Sequence, residues 1–181
     1  MSQSAIRLQR LEEFQIEAPV RESICALLQS CFPGYPRDRD YFKQVPSFRY
    51  LLWDGQKLVA HMAVEHRILN NSGELHTIFG IADLCVAPEY QHRKLASWLI
   101  MELETLGKIH DIDFLVLVAR DQEFYLGHDF LAVTNDCQWV LIHSHTTYGI
   151  AHRSIGQGLM VKALGEKTWG EGYVDFLGHM F

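Results

Sequence analysis

Residues 86–100, VAPEYQHRKLASWLI, place a strand end, a loop and a helix in immediate succession. A proline interrupts an apolar run, a polar and basic turn follows, and leucines then recur at helical spacing from position 95 to position 106. This order predicts an amphipathic helix that begins near Arg93 and ends around Gly107. The N–H groups in the first turn of such a helix have no intrahelical partners and favour a bound anion.

The charge at the start of this helix bears on the same question. His92, Arg93 and Lys94 add positive charge where it opposes the helix dipole. A bound phosphate would relieve that conflict. Two interpretations therefore stay open: an anion site, or an ordinary strand-to-helix connection closed by water and side-chain caps.

The segments on either side predict a mixed sheet. Apolar spacing predicts a helix over residues 20–31, and residues 50–86 read as three antiparallel strands joined by Asp-Gly and Asn-Asn-Ser-Gly turns. The apolar run at 114–119 is typical of a strand covered on both faces, so strand, helix and strand form a unit with a parallel pair. Further strands are expected within 138–151 and 173–177.

Composition limits the size, location and partners of the protein. A chain of 181 residues with 48% hydrophobic content suits one domain over residues 1–181. The net charge of -6 disfavours nucleic acid as a partner. Charged residues near the start exclude the apolar core of a signal peptide, and no apolar run is long enough for a membrane helix. We expect a soluble, cytoplasmic protein without a membrane partner.

The cysteines and histidines do not predict a metal site. The four cysteines are scattered, and none has the spacing to histidine or to another cysteine that zinc sites show. The histidines at 143 and 145 sit in an expected strand, where surface positions are the simpler interpretation. An edge strand late in the chain would suit pairing with a second copy as a homodimer.

The loop resembles the acyl-CoA pyrophosphate loop of the GCN5-related N-acetyltransferase (GNAT) superfamily. The superfamily pattern is Gln or Arg, two free positions, Gly, one free position, then Gly or Ala. Gln91, Lys94 and Ala96 occupy the three marked positions, so the middle glycine is replaced by lysine. Lysine adopts a positive φ only at a cost, but the replacement need not abolish binding if Lys94 can take a helical backbone.

A second stretch has the same resemblance. FYLGHDF resembles the superfamily's Phe-Tyr-x-x-x-Gly-Phe segment, with Phe124, Tyr125 and Phe130 matching and Asp129 in place of glycine. Within the superfamily the chain looks closest to the aminoglycoside 2′-N-acetyltransferase group and, more distantly, to the rhizobial nodulation N-acyltransferases. The resemblance implies an α/β GNAT-like fold with an antiparallel N-terminal meander, a splayed parallel strand pair and helices on both faces.

The resemblance also implies where acetyl-CoA binds. The pantetheine arm would lie between the strand at 82–86 and the strand at 114–118, bonded by backbone groups in the manner of an added strand. The pyrophosphate would lie on the N–H groups at the start of the helix, assisted by nearby cations. The implied contacts are Leu84, Cys85, Val86, Gln91, His92, Arg93, Lys94, Leu95, Ala96 and Ser97.

The implied chemistry is direct attack of an amine on the thioester in a ternary complex, with no metal and no enzyme nucleophile. Tyr125 matches the general acid. For the base, the carboxylate of several relatives falls at Ala82, so Asp83 would reach the site only through a bulge. The rivals are a water chain or the side chains of His61, Glu65 and His76.

The acceptor is expected to be a primary amine of a small molecule of the aminosugar or polyamine type. Acidic groups in the early loop and near the chain end could form a rim for such a cation, or they could be solvated surface charges: Asp38, Asp40, Tyr41, Asp175 and the carboxylate of Phe181. Three alternatives stay open: a noncatalytic acyl-CoA sensor, a protein N-acyltransferase and an enzyme that uses a longer acyl chain.

Overall fold

The computed structural model describes residues 5–181, apart from the side chain of Gln157. These residues include three α-helices and ten β-strands. The helices are α1 (Ala18–Cys31), α2 (Leu95–Ile109) and α3 (Glu123–Leu126). The strands are β1 (Arg7–Glu12), β2 (Phe48–Asp54), β3 (Lys57–Asn71), β4 (Glu74–Val86), β5 (Phe114–Val118), β6 (Leu131–Val133), β7 (Asp136–His143), β8 (Thr146–Ser154), β9 (Leu159–Ala163) and β10 (Val174–His179).

The ten strands form one mixed sheet, as the sequence predicts. Its order is β6-β9-β5-β4-β3-β10-β7-β8, with β2 on β3 and β1 on β2. The β4–β5 and β10–β7 pairs are parallel. In the described register, β4 and β5 pair only where Ile78–Gly80 lie opposite Phe114–Val116. The α/β fold class and the antiparallel meander β2-β3-β4 are confirmed.

The turns of the meander follow from their sequences. Between β2 and β3, Gly55 takes φ 60° at the first of two loop positions. Between β3 and β4, Ser72 has φ 58° and Gly73 has φ 92°, which is the double positive φ of a type I′ hairpin. The side-chain oxygen of Asn70 accepts a hydrogen bond from the Gly73 N–H at 2.9 Å, which ties the turn to its strand.

The chain divides into two compact units, to which β3, β4 and α2 each contribute residues. The first unit comprises the chain up to Val64 together with Ala82–Glu102, and the second comprises Glu65–Ile81 and Leu103–Phe181. In the first unit, α1 packs through Ile24 and Leu28 onto an apolar cluster that includes residues of β2, β3 and β4. The second unit has its own cluster, built mainly from β5, β7, β9 and β10.

Helix α2 runs two residues past its predicted end at Gly107. A Cβ at this glycine would lie 2.3 Å from a Leu164 methyl group, so Gly107 lies inside the helix against Leu164 and does not cap the helix. Strands β1, β6 and β9 were not predicted. The described residues include no helix with the length and apolar composition needed to cross a membrane.

The C-terminal segment of the second unit is docked. β10 pairs with β3 and β7, and Met180 is buried. The ring of Phe181 lies so close to Gly80 that a Cβ there would meet it at 2.0 Å. The guanidinium of Arg67 lies 4.8 Å from the centre of the same ring.

Candidate active site

The segment that leads into and includes the first turn of α2, here called the donor loop (residues 91–97), has two residues in the left-handed backbone region. His92 has φ 62° and Lys94 has φ 61°. An ordinary side chain adopts this conformation at a cost of about 1–2 kcal/mol. Lys94 therefore has a left-handed backbone of the kind that glycine favours, and the helical backbone considered for it from the sequence is not found.

The start of α2 presents amide groups and positive charge together. The Trp98 N–H donates to the Lys94 carbonyl at 3.0 Å, so the amides of residues 95–97 precede the helical ladder. The side chains of His92, Arg93 and Lys94 are exposed. The Arg93 guanidinium stacks over the Tyr90 ring, 4.8 Å from its centre, which holds the charge beside the loop.

The turn before the donor loop is braced against the β2–β3 hairpin. The Tyr90 hydroxyl donates to an Asp54 carboxylate oxygen at 2.7 Å, and Glu89 forms an ion pair with Lys57. The Ala87 N–H donates to the Val59 carbonyl at 2.8 Å. These contacts all lie in the first unit and give the exposed loop a fixed base.

The last residues of β4 differ in burial and in the hydrogen bonds that their backbone groups already form. The Val86 carbonyl accepts a hydrogen bond from the Gln91 side-chain amide at 3.3 Å and one from the Cys31 thiol at 3.5 Å. Leu84 is half-buried, whereas Cys85 is buried, and a hydrogen bond to Cys31 together with burial raises the pKa of the Cys85 thiol. Cys85 is a packed strand residue, as the sequence interpretation has it.

Asp83 interrupts β4 with a left-handed backbone, φ 51°. A left-handed residue is typical of a β-bulge. A bulge is the feature that the sequence analysis required for the Asp83 side chain to point to the same face of the sheet as the site. Its carboxylate accepts a hydrogen bond from the Tyr35 hydroxyl at 2.7 Å, and its carbonyl lies 2.9 Å from His61 Nδ1. Burial and the Asp83 carboxylate both raise the pKa of Tyr35, so this tyrosine stays a donor. The role of Asp83 as a base stays a prediction.

The three rival side chains are more buried than Asp83. His61 is 0% exposed, and burial lowers its pKa to about 3. In the second unit, Glu65 is buried, forms an ion pair with Arg67 at 3.0 Å and has a carboxylate oxygen 3.1 Å from His179 Nε2. His76 is buried against Phe114 and Trp169, and burial lowers its pKa. Of these four groups, Asp83 is the only half-buried one.

Tyr125 belongs to the second unit and lies in the one-turn helix α3. Its ring contacts Phe124 and Phe130, with centres 5.1 Å and 5.6 Å away. Burial and the Asp121 carboxylate raise the pKa of Tyr125 to about 12, so the hydroxyl keeps its proton at neutral pH. Asp129, which replaces the second expected glycine, has φ 62°, a conformation that glycine favours.

Two members of the expected acidic rim, Asp40 and Asp175, already have partners within the protein. Asp40 is 3% exposed and lies within 2.8 Å of Arg21 and 3.3 Å of Arg49, so it is neutralised inside the first unit. In the second unit, the Asp175 carboxylate accepts hydrogen bonds from the Gln138 amide and the Leu177 N–H, both at 2.8 Å.

A buried charge cluster in the first unit was missed by the sequence reasoning. We use this name for Glu13, Arg21, Asp40 and Arg49, which are joined by ion pairs of 2.7–3.3 Å. The signal was present, because Arg49 is the single charge within the otherwise apolar and aromatic run FRYLLW. Within residues 5–181, no three or more His, Cys, Asp or Glu side chains are grouped to hold a metal ion.

A family model described as an acetyltransferase (GNAT) domain matches residues 17–131. The chain belongs to the GNAT acetyltransferase family. The matched range includes the donor loop, Asp83 and Tyr125. No curated protein matches the chain, and the resemblance to the aminoglycoside 2′-N-acetyltransferase group is not confirmed.

Solved structures show the same fold. An Escherichia coli GNAT family N-acetyltransferase (YhbS) in complex with CoA is 19% identical with a TM-score of 0.63, and the match covers 97% of this chain and 92% of that one. Escherichia coli ElaA is 18% identical with a TM-score of 0.60, over 87% and 99% of the two chains. A probable N-acyltransferase from Enterococcus faecalis is 14% identical with a TM-score of 0.61, over 72% of this chain and 33% of its own. The chain thus spans about a third of that relative's length.

Proposed function

We propose that this GNAT protein transfers an acetyl group from acetyl-CoA to a primary amine of a small molecule. The observation that supports this most directly is the donor loop, which keeps the left-handed backbone at Lys94 although the glycine is absent. A loop that had lost its ligand would have no evident reason to keep a strained residue at this position. The exposed cations beside the first-turn amides suit a pyrophosphate.

The proposed reaction proceeds without a covalent enzyme intermediate. The amine nitrogen attacks the thioester carbon, the carbon–sulfur bond then breaks, and CoA leaves as a thiolate. The Tyr125 hydroxyl gives its proton to that sulfur. The amine gives up a proton to a base, and proton exchange with solvent restores both groups.

We propose Asp83 as that base. Its carboxylate is half-buried, and the Tyr35 hydroxyl fixes one of its oxygens at 2.7 Å. A carboxylate also attracts the ammonium form of the substrate before the proton is removed. This preference agrees with the proposed acceptor, an aminosugar or a polyamine, as in the aminoglycoside 2′-N-acetyltransferase group that the sequence resembles.

The first experiment measures the melting temperature of the purified protein with acetyl-CoA, with CoA and with a long-chain acyl-CoA. A ligand at 100 times its dissociation constant stabilises the folded state by about 2.7 kcal/mol. We expect a clear upward shift with acetyl-CoA and CoA that is reduced in Arg93→Ala and retained in Lys108→Ala, a matched exposed cation at the other end of α2. The absence of any shift in a cooperatively melting protein would overturn the proposed function.

The second experiment measures thiol release from acetyl-CoA with a panel of primary amines. Removal of a general acid typically costs about 10²–10⁴-fold in turnover. We expect that loss in Tyr125→Phe with the dissociation constant for CoA unchanged, and no loss in Tyr148→Phe, which changes an exposed tyrosine of β8. CoA binding without turnover of any amine would favour a noncatalytic sensor. The replacement of the two motif glycines by Lys94 and Asp129 is the observation that favours this second candidate.

A further inference from the structure

The buried charge cluster is centred on Arg49, the largest fully buried side chain of the described residues. Its Nε donates to a Glu13 carboxylate oxygen at 2.7 Å, and its Nη1 donates to the Asp40 carbonyl at 2.8 Å. The outer member, Arg21, lies 2.8 Å from both carboxylates. Two guanidinium groups and two carboxylates therefore balance in charge.

The cluster extends to His61, and its hydrogen bonds determine the tautomer of that ring. Arg49 Nη1 lies 3.1 Å from His61 Nε2, and since a guanidinium only donates, Nε2 must accept. The proton of the neutral ring is then on Nδ1, which donates to the Asp83 carbonyl at 2.9 Å. A chain of hydrogen bonds thus starts at Arg49, which donates to Glu13 on one side and to His61 on the other, and it continues from His61 to the backbone of β4.

The end of this chain of hydrogen bonds is the strained residue of the strand. Asp83 has φ 51°, a conformation that persists in a non-glycine residue only where its surroundings hold it. Two contacts do so: His61 binds its carbonyl, and the Tyr35 hydroxyl binds its carboxylate at 2.7 Å. Both partners belong to the first unit and are buried.

Stability alone does not account for such a cluster. Taking paired charges out of water is costly, and well-packed apolar residues of similar volume often stabilise a protein as well or better. An apolar core at this position could not offer an N–H group to the Asp83 carbonyl. The charged residues instead fix orientation: Glu13 and Asp40 hold the Arg49 guanidinium, and Arg49 in turn holds the His61 ring with Nδ1 toward Asp83.

We propose that Arg49 and His61 are positioning residues, which hold Asp83 in its left-handed conformation and thereby set the course of the Leu84–Val86 backbone. This inference rests on the proposed function in one respect, since Leu84–Val86 is the segment assigned to the pantetheine arm of acyl-CoA. Without the His61 hydrogen bond, Asp83 relaxes toward an ordinary strand conformation. The amides after it then no longer point in the direction that the donor requires.

Two substitutions at one position separate this role from packing. His61→Asn keeps an N–H group near the position of Nδ1, whereas His61→Leu removes it. Both variants remove the ring nitrogen that accepts from Arg49, so their difference reports the hydrogen bond to Asp83. Hydrogen–deuterium exchange is measured over residues 82–87 and over residues 50–53 of β2 as the internal reference. The dissociation constant for CoA is measured at a temperature where both variants are folded.

We expect His61→Leu to speed exchange over residues 82–87 about tenfold and to weaken CoA binding about tenfold, with residues 50–53 unchanged, since one hydrogen bond is worth about that factor. His61→Asn should stay within about threefold of the wild type in both measurements. Equal effects of the two variants, or faster exchange in both segments alike, would overturn the inference. A wild type that binds no CoA would overturn the proposed function, and the exchange data would still decide whether His61 holds Asp83.

A measurement on the unaltered chain covers the case in which His61→Leu does not fold. Nitrogen-15 spectra of the imidazole rings report which ring nitrogen carries the proton. We expect His61 to be the Nδ1–H tautomer at pH 7 and to keep it down to pH 5. A neutral ring with its proton on Nε2 would exclude the hydrogen bond from Nδ1 to Asp83 and overturn the inference.

Discussion

The donor loop and the buried charge cluster belong to the same unit and use positive charge in opposite ways. In the donor loop, Arg93 and Lys94 face solvent next to the first-turn amides of α2. In the cluster, Arg49 is 0% exposed and its charge is neutralised by Glu13 and Asp40. We therefore expect the donor loop to act on ligand affinity directly, whereas the cluster acts on the stability of the first unit and on the shape of β4. Substitutions in the cluster should therefore lower the unfolding free energy by more than substitutions in the donor loop do.

The largest effect is expected from Arg49→Met. This substitution leaves two buried carboxylates without their inner counter-charge, and breaking a buried pair in this way typically costs about 3–5 kcal/mol of unfolding free energy. Arg93→Met, the control in the donor loop, should change the unfolding free energy by about 0.5 kcal/mol or less. Urea denaturation measures both values. Equal losses in the two variants would contradict the contrast between the regions.

The cluster should also respond to pH through His61. Its folded pKa of about 3 lies below the unfolded value of 6.5, so the unfolded state binds more protons between these values. The stabilising contribution is complete above pH 6.5 and is lost as the pH falls toward 3. Between pH 7 and pH 5 the wild type should lose about 2 kcal/mol more than His61→Asn does. A difference near zero would mean that His61 titrates normally.

In the donor loop, Lys94→Gly should stabilise the protein. The substitution relieves a side chain at φ 61°, and after the entropy cost of glycine the gain should be about 0.5–1 kcal/mol. The same change at Lys108, inside α2, should destabilise the protein by about 1 kcal/mol. Asp129→Gly should gain less than Lys94→Gly, because aspartate tolerates the left-handed region better. Urea titration in ligand-free buffer measures these unfolding free energies.

The smallest effect concerns Cys31, whose thiol lies beside the Val86 carbonyl where β4 meets the donor loop. A hydrogen bond from Cys85 lowers the pKa of Cys31 to about 7, whereas burial raises the pKa of Cys25 on the same helix. Both cysteines are half-buried. Cys31 should react with iodoacetamide about fivefold faster at pH 7, since its larger thiolate fraction outweighs its lower nucleophilicity. Mass spectrometry of the labelled peptides measures the ratio, and Cys85→Ala should reduce it.

Much of the fold was predictable because its signals are local. Alternating and continuous apolar runs predict β2 to β5, and helical spacing predicts α1 and α2. Strands β1, β6 and β9 escaped because short or partly exposed strands have weak patterns. Gly107 was taken for a helix end because glycine often caps helices. In the structure it lies inside α2, where Leu164 packs closely against it.

The candidate site was predictable only as a set of positions. Gln91, Asp83 and Tyr125 could be named from motif spacing, but their surroundings could not. Arg49 and Tyr35 come from distant parts of the chain, and only folding brings them into the same network as Asp83. Hydrogen bonds between such residues leave no periodic trace in a sequence.

The sequence by itself determined the order of strands and helices and the family resemblance, since both depend on residues close together in the chain. Tertiary structure decided the conformations that the resemblance left open, namely the left-handed backbones at Asp83, Lys94 and Asp129. Each of these residues would favour another conformation in isolation. The physical reason is that a local cost of about 1–2 kcal/mol is small beside the packing and hydrogen bonding of the folded chain around it.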